Sequence, residues 1–239
     1  MIRLCAINDE VSNSFENCLN ILKNNNIEYV EVRKIDDKMF DELSENEQIN
    51  AIELLNKFNI KVAVLDSSIG KKIVDDKVIF NEYISLAIKL KAKAIRVFSD
   101  LSNEYLKYIN EKSKQSSIEL YMENEPNTMF ESFEYFYEIK ERLNLDNIYI
   151  CYDNENYYRC NNIKIEKELL DVKHIHLRDY ADDYTYILEG KLEIGKILNK
   201  INEINYDGLV SVESHLPMVM NLGKEDMFNR CVNNIKKTS

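Results

Sequence analysis

Glycine and histidine are scarce in this chain of 239 residues, with five of the first and three of the second. The glycines form no GxGxxG and no Walker-type loop, which disfavours a nucleotide held in a glycine-rich phosphate cradle. Positive charge is also short: 31 Lys and Arg stand against 42 Asp and Glu, a formal net charge of -11. A nucleic-acid partner, which needs a basic stripe to neutralise phosphates, is therefore not expected. No stretch approaches the ~20 apolar residues of a membrane span, so no membrane partner is expected either. The run Met1-Ile-Arg-Leu-Cys-Ala-Ile-Asn-Asp-Glu10 turns acidic too soon for a signal peptide, and a cytoplasmic location is the expectation. Cys5, Cys18, Cys151, Cys160 and Cys231 are odd in number, scattered and without a CxxC pair. That predicts reduced thiols and argues against a zinc knuckle.

What the chain does have is 45% hydrophobic and 31% charged residues, enough for one sizeable core. Apolar β-type runs alternate with amphipathic segments from end to end. The strand candidates are Ile2–Asn8, Tyr29–Lys34, Lys61–Ser67, Ala94–Ser99, Ile118–Asn124, Ile148–Asn154, Lys173–Asp179 and Gly208–Ser214. The helix candidates are Ser14–Asn25, Glu45–Asn59, Lys77–Lys91, Asn103–Lys114, Thr128–Leu143, Ile163–Leu170, Glu193–Asn205 and Lys224–Lys237, with Ser14 as an N-cap. Eight strand–helix pairs without a Pro/Gly/Ser-rich linker predict a (β/α)8 TIM barrel, one domain over residues 1–239. A doubly wound sheet is the alternative, but it normally has fewer repeats and a phosphate loop.

Four of the strand candidates end in metal-type ligands: Tyr121-Met-Glu-Asn124, Cys151-Tyr-Asp-Asn154, His174-Ile-His176 and Ser211-Val-Glu-Ser214. In a barrel the active residues come from the C-terminal strand ends, and these four lie on consecutive strands five to eight. Period-two alternation puts Tyr121 with Glu123, Cys151 with Asp153, His174 with His176, and Ser211 with Glu213 on shared faces. Glu123, Asp153, His176 and Glu213 make a mixed carboxylate/imidazole set suited to Mn²⁺, Mg²⁺, Co²⁺ or Zn²⁺. Carboxylates on an apolar barrel interior are costly unless they are paired or bind a cation. The bland alternative is that they cap strands and pair with Arg33, Arg96 or Arg178.

At these residues the chain resembles the xylose-isomerase-like TIM barrels, specifically sugar phosphate isomerases and epimerases. Asn8-Asp-Glu-Val11 is similar to that family's opening, Tyr29-Val-Glu-Val-Arg33 to its second strand, Ser67-Ser-Ile-Gly-Lys71 to a loop and Ile95-Arg-Val-Phe-Ser99 to its fourth strand. Glu123-Asn-Glu125, Asp153 with Asn156, His174-Ile-His-Leu-Arg-Asp179, Gly190 and Tyr206-Asp-Gly-Leu-Val-Ser-Val-Glu213 continue the likeness. The resemblance implies that Glu123, Asp153, His176 and Glu213 are the four metal ligands. There are departures: Asn156 stands where the epimerase branch has a histidine, Asp182 where it has an arginine, and Ser68 where the loop has a proline.

The implied chemistry is a divalent-metal-dependent isomerase or epimerase acting on a sugar or sugar phosphate, with Glu213 and Glu123 as base and acid on opposite faces. His174, deeper on its strand, is expected to orient carboxylates by hydrogen bonding, and His215 to lie at the rim or touch substrate. Arg33, Lys71 and Arg96 are candidates for an anion site, Glu125 for a second acid near the metal, and Asn156 for a substrate contact. Asp9 and Glu10 suit sugar hydroxyls or ordinary loop acids equally. A metal-dependent dehydratase on the same barrel and a non-catalytic sugar sensor are the alternatives. An abasic-site nuclease of the endonuclease IV type would need more histidines and a basic face. A homodimer paired through helices or the loop face is compatible with the chain.

Overall fold

The computed structural model describes residues 2–72, 74–160 and 172–238. Eight strands form one sheet: β1 (Leu4–Ala6), β2 (Tyr29–Val32), β3 (Lys61–Asp66), β4 (Ala94–Val97), β5 (Glu119–Glu123), β6 (Ile148–Asp153), β7 (Val172–Leu177) and β8 (Leu209–Val212). Neighbours pair in parallel from β2 through β8 in chain order, and β8 pairs with β1. The circle is completed by a parallel bridge between Ile7 and Glu31, so the sheet is a barrel. Strands buried on both faces read as continuous apolar runs, which is why Val62–Leu65 and Leu120–Met122 carry so little polarity.

The connecting helices are α1 (Phe15–Asn24), α2 (Glu45–Phe58), α3 (Lys77–Leu90), α4 (Asn103–Gln115), α5 (Phe133–Leu143), α6 (Asn154–Arg159), α7 (Ile194–Glu203) and α8 (Lys224–Lys236). Their starts are set by side chains: Ser14, Ser44, Asp76, Ser102 and Ser132 each accept a hydrogen bond from a first-turn amide. The main core lies between these helices and the outward faces of the strands, with Phe80, Ile109, Phe136 and Leu198 among its members. A separate, small cluster of Cys5, Val64, Ala94, Tyr121 and Cys151 fills the barrel's interior. All five cysteines are free thiols. No helix among the described residues is long and apolar enough to cross a membrane.

Two helix expectations need correction. The segment Thr128–Leu143 becomes helical only at Phe133, because Thr128 Oγ1 donates to the Glu125 carbonyl at 2.7 Å and holds the chain in a turn after Pro126. Asn154–Arg159 is an unexpected helix that begins directly at the end of β6, capped by Asp153, whose Oδ1 accepts from the amides of Glu155 (3.0 Å) and Asn156 (2.8 Å). The expected helix Ile163–Leu170 lies outside the described residues.

Candidate metal and active site

The barrel brings the four strand-end residues to one point. Glu123 closes β5, Asp153 closes β6, His176 is the penultimate residue of β7, and Glu213 follows β8 directly. One ligand atom from each lies within 4.8 Å of every other, and all four side chains are buried. His176 Nδ1 stands 3.1 Å from Glu213 Oε2 and 3.7 Å from Glu123 Oε1. Yet Nδ1 and that Oε2 are both buried without a hydrogen-bond partner. Two orphaned polar atoms turned to one point are expensive in a dry interior, and a cation held there removes the cost. The residues present therefore fit a divalent ion with three oxygen ligands and one nitrogen ligand.

The same carboxylates also have arginine partners, as the bland reading anticipates. Arg96 reaches Glu123 at 2.9 Å and Asp66 at 2.8 Å, Arg33 reaches Glu213 at 3.1 Å, and Arg178 forms a two-nitrogen pair with Asp153. On Glu123 and Glu213 an arginine takes one oxygen and leaves the other, Oε1 and Oε2 respectively, turned to the cluster. Both oxygens of Asp153, in contrast, are engaged, by Arg178 and by the amides of Glu155 and Asn156. Burial, opposed by Arg178 and reinforced by Glu213 and Glu123, pushes the Asp153 carboxyl up to about 6. Burial acts the same way on Glu213, but the His176 ring and Arg178 outweigh it and hold this carboxyl well below the usual range.

Beneath the cluster, Glu31 of β2 anchors both histidines of β7. His176 Nε2 lies 2.9 Å from Glu31 Oε1, and His174 Nε2 lies 2.8 Å from Glu31 Oε2. Ser211 donates to the same Oε2 at 2.5 Å, and Tyr121 stacks on the His174 ring at 5.8 Å. Burial would raise the Glu31 carboxyl, but His176 and His174 hold it well below its ordinary value. An ionised carboxylate only accepts, so Nε2 of His176 donates and leaves Nδ1 facing the cluster. Burial lowers the ring's pKa, but Cys151, Glu31 and Glu213 outweigh it and hold it well above its ordinary value, so a metal binding at Nδ1 would displace a proton there. His174 thus sits deeper than His176 and shares a hydrogen bond with a carboxylate. Glu31 does not pair with Arg33 two residues on: its partners are the two histidines and Ser211, while Arg33 turns to the mouth.

The other candidates line the mouth, around a cavity of about 290 Å³ that includes Arg33, Lys71, Arg96, Glu125, Asn156 and His215 together with Glu123 and Glu213. Asn156 donates to the Asn124 carbonyl at 3.0 Å and lies 3.4 Å from Glu123 Oε1. Lys71 pairs with Glu125 at 2.6 Å and lies over the Phe98 ring at 4.9 Å. His215 adopts a left-handed backbone at φ 54, its Nδ1 lying 2.6 Å from Glu10 and its Nε2 3.8 Å from Glu213. Asp9 and Glu10 hold Arg33 at 2.9 Å and 3.2 Å. Tyr152 and Tyr157 pack in the core beside Phe133, whereas Tyr158 is exposed.

No curated protein sequence matches the chain. Solved structures do resemble it. The probable 3-DHS dehydratase AsbF from Bacillus anthracis superposes with a TM-score of 0.77 at 15% identity, over 99% of each chain. The zinc-bound IolI protein gives 0.77 at 19% identity, over 99% of this chain and 96% of its own. A D-allulose 3-epimerase from Methylomonas sp. gives 0.78 at 10% identity, over 100% of this chain and 97% of its own. At these identities the likeness establishes the fold. The family model described as xylose isomerase-like TIM barrel matches residues 51–226, and the chain accordingly belongs to the xylose isomerase-like TIM-barrel family.

Proposed function

We propose that the protein is a divalent-metal-dependent isomerase or epimerase of a sugar or sugar phosphate. The observation that carries the reading is the convergence of Glu123, Asp153, His176 and Glu213 within 4.8 Å, with orphaned atoms on His176 and Glu213 facing inward. A divalent ion held there would polarise a carbonyl and its neighbouring hydroxyl and stabilise charge developing on their oxygens. Asp153 and His176 position the site. Glu213, held ionised at neutral pH, takes the proton from the carbon beside the carbonyl, and Glu123 serves the opposite face. Returning the proton to the other face gives epimerisation, and returning it to the neighbouring carbon gives aldose–ketose isomerisation. The relatives' names support the reading: an epimerase acting on D-allulose and a zinc-bound protein share the fold.

Dehydration is the second reading, favoured by one observation. His215 at the rim has its pKa raised: burial works against this, but the hydrogen bond to Glu10 and the nearby Glu213 outweigh it, so the ring can protonate a departing hydroxyl. The probable dehydratase among the structural neighbours accords with it. A pocket that binds sugar without turnover would instead make the protein a sensor.

The test begins with thermal shift on chelator-stripped protein with Mn²⁺, Co²⁺, Mg²⁺ and Zn²⁺, beside Asp153→Ala. Stabilisation of the wild type alone is expected, followed by turnover in a sugar and sugar-phosphate screen that Glu213→Gln abolishes. No shift with any metal, or full turnover in Glu213→Gln, overturns the proposal. Product analysis separates an isomer from a dehydrated ketone.

A further inference from the structure

Beyond the metal-type cluster the mouth opens into an outer lobe of about 530 Å³, bounded by the loops after β1, β2, β3 and β8. Its charge runs against that of the molecule. Arg33, Lys34, Lys71, Lys72, Arg96 and Lys224 line it against the two carboxylates of Asp9 and Glu10, in a chain of formal net charge -11. Half of these cations are already answered: Arg33 by Asp9, Glu10 and Glu213, Arg96 by Asp66 and Glu123, and Lys71 by Glu125. The other three are not. Lys34 and Lys72 are exposed, and no carboxylate among the described residues pairs with either. Lys224 is half-buried, and its Nζ donates to the Asp9 backbone carbonyl at 2.6 Å, a partner without net charge.

The three unanswered lysines come from separate parts of the chain: the end of β2, the loop after β3 and the first turn of α8. One wall is shared with the inner cavity. The Phe98 ring lines both lobes, with the Arg96 guanidinium 4.4 Å and the Lys71 ammonium 4.9 Å from its centre. A bound molecule can therefore run from the cluster to the lysines without leaving the concavity. Ammonium groups around a hollow attract an anion and donate to its oxygens, offsetting locally the repulsion of a molecule of net negative charge.

We infer that the outer lobe is a subsite for an anionic end of the substrate, a phosphate or carboxylate bound by Lys34, Lys72 and Lys224, with the reacting carbons in the inner cavity. The inference rests on the metal-site reading only for which end of the molecule reacts. It distinguishes this pocket from one built for a neutral free sugar, which has no use for three uncompensated cations.

Inorganic phosphate and, separately, acetate are titrated into chelator-stripped protein at low salt, with binding followed by calorimetry. The wild type is compared with Lys34→Gln/Lys72→Gln and with Lys107→Gln/Lys112→Gln, which makes the same charge change on α4. Saturable phosphate binding is expected, weakened about tenfold in the first variant and unchanged in the second, and falling as salt rises. Equal binding in all three proteins, equal weakening in both variants, or no saturable binding of either anion overturns the inference. Phosphate held more tightly than acetate assigns a phosphoryl group, and acetate held as tightly assigns a carboxylate. Asp153→Ala separates the two readings: phosphate binding should survive there although the metal shift is lost. Wild type that takes up metal but no anion refutes the subsite alone, and wild type that takes up phosphate but no metal refutes the metal centre alone.

Discussion

Glu31 carries two imidazoles and a hydroxyl on one buried carboxylate, and His176 can offer a lone pair to the cluster only while Nε2 keeps its proton. Glu31→Gln preserves the shape but lets an amide donate to Nε2, which moves the ring proton to Nδ1. Metal affinity, measured by competitive titration, is expected to fall about 10- to 100-fold while the far-ultraviolet spectrum is retained. Unchanged affinity would show that the ring is aimed by packing alone. A second residue-scale expectation concerns pH. The Asp153 carboxyl, raised above its unfolded value to about 6, is protonated below that pH in the folded metal-free protein and ionised above it. Metal must displace that proton as well as the one on the His176 ring, whose pKa is held well above its ordinary value, so apparent affinity should fall more steeply below about pH 6 than above it. A profile with no change of slope between about pH 5 and pH 7 would remove Asp153 from the ligand set.

The convergence of Glu123, Asp153, His176 and Glu213 was legible because two local rules act together: alternation along a strand fixes the face, and the barrel puts function at the C-terminal ends. Glu31's partnership with His174 and His176 was not, since it spans 143 and 145 residues of chain and depends on how the barrel closes. Asp153's capping of α6 had a local signal in Asp153-Asn154-Glu155-Asn156, but the ligand reading of the same aspartate hid it.

Among the elements, the loop after β3 is tightly constrained. Gly70 has φ 82, and a Cβ there would stand 2.2 Å from the Phe98 carbonyl oxygen. The tight approach is locked by Phe98 N donating to Ile69 O at 2.8 Å and Asp100 N to Gly70 O at 3.1 Å. This is how Lys71 and Lys72 are held against the mouth. Gly70→Ala should cost about 1–3 kcal/mol in urea unfolding and weaken phosphate binding with it. A variant as stable as wild type would mean that the loop can move off β4 cheaply. Strand content and order were readable in the chain for the same reason that this loop was not: apolar periodicity marks a buried strand, whereas the Gly70 contact appears only when β3 and β4 lie side by side.

At the scale of the whole molecule, the carboxylates buried inside the barrel are concentrated at one end. The interior farther from the mouth holds Cys5, Val64, Ala94 and Tyr121, while Glu31, Glu123, Asp153 and Glu213 sit toward the C-terminal ends of their strands or just beyond. A cation should therefore stabilise the structure unevenly. With Mn²⁺ at about 100 times its dissociation constant the gain is about 2.7 kcal/mol. Amide exchange should slow at the ends of β5 to β8 and in α6, with little change at the strand starts. Uniform slowing along every strand would point to general stabilisation and away from an ion at the mouth.

The single bridge joining Ile7 to Glu31 gives this geometry a further meaning. The residue that fastens the ring of strands is also the one that steers His176, so closing the circle and aiming the ligand are one event in assembly. A folding chain that has not yet made this seam carries the four residues proposed to hold an ion but not the pocket that brings them together. Metal uptake should thus report the final step of folding, appearing in refolding kinetics only after the helices have formed.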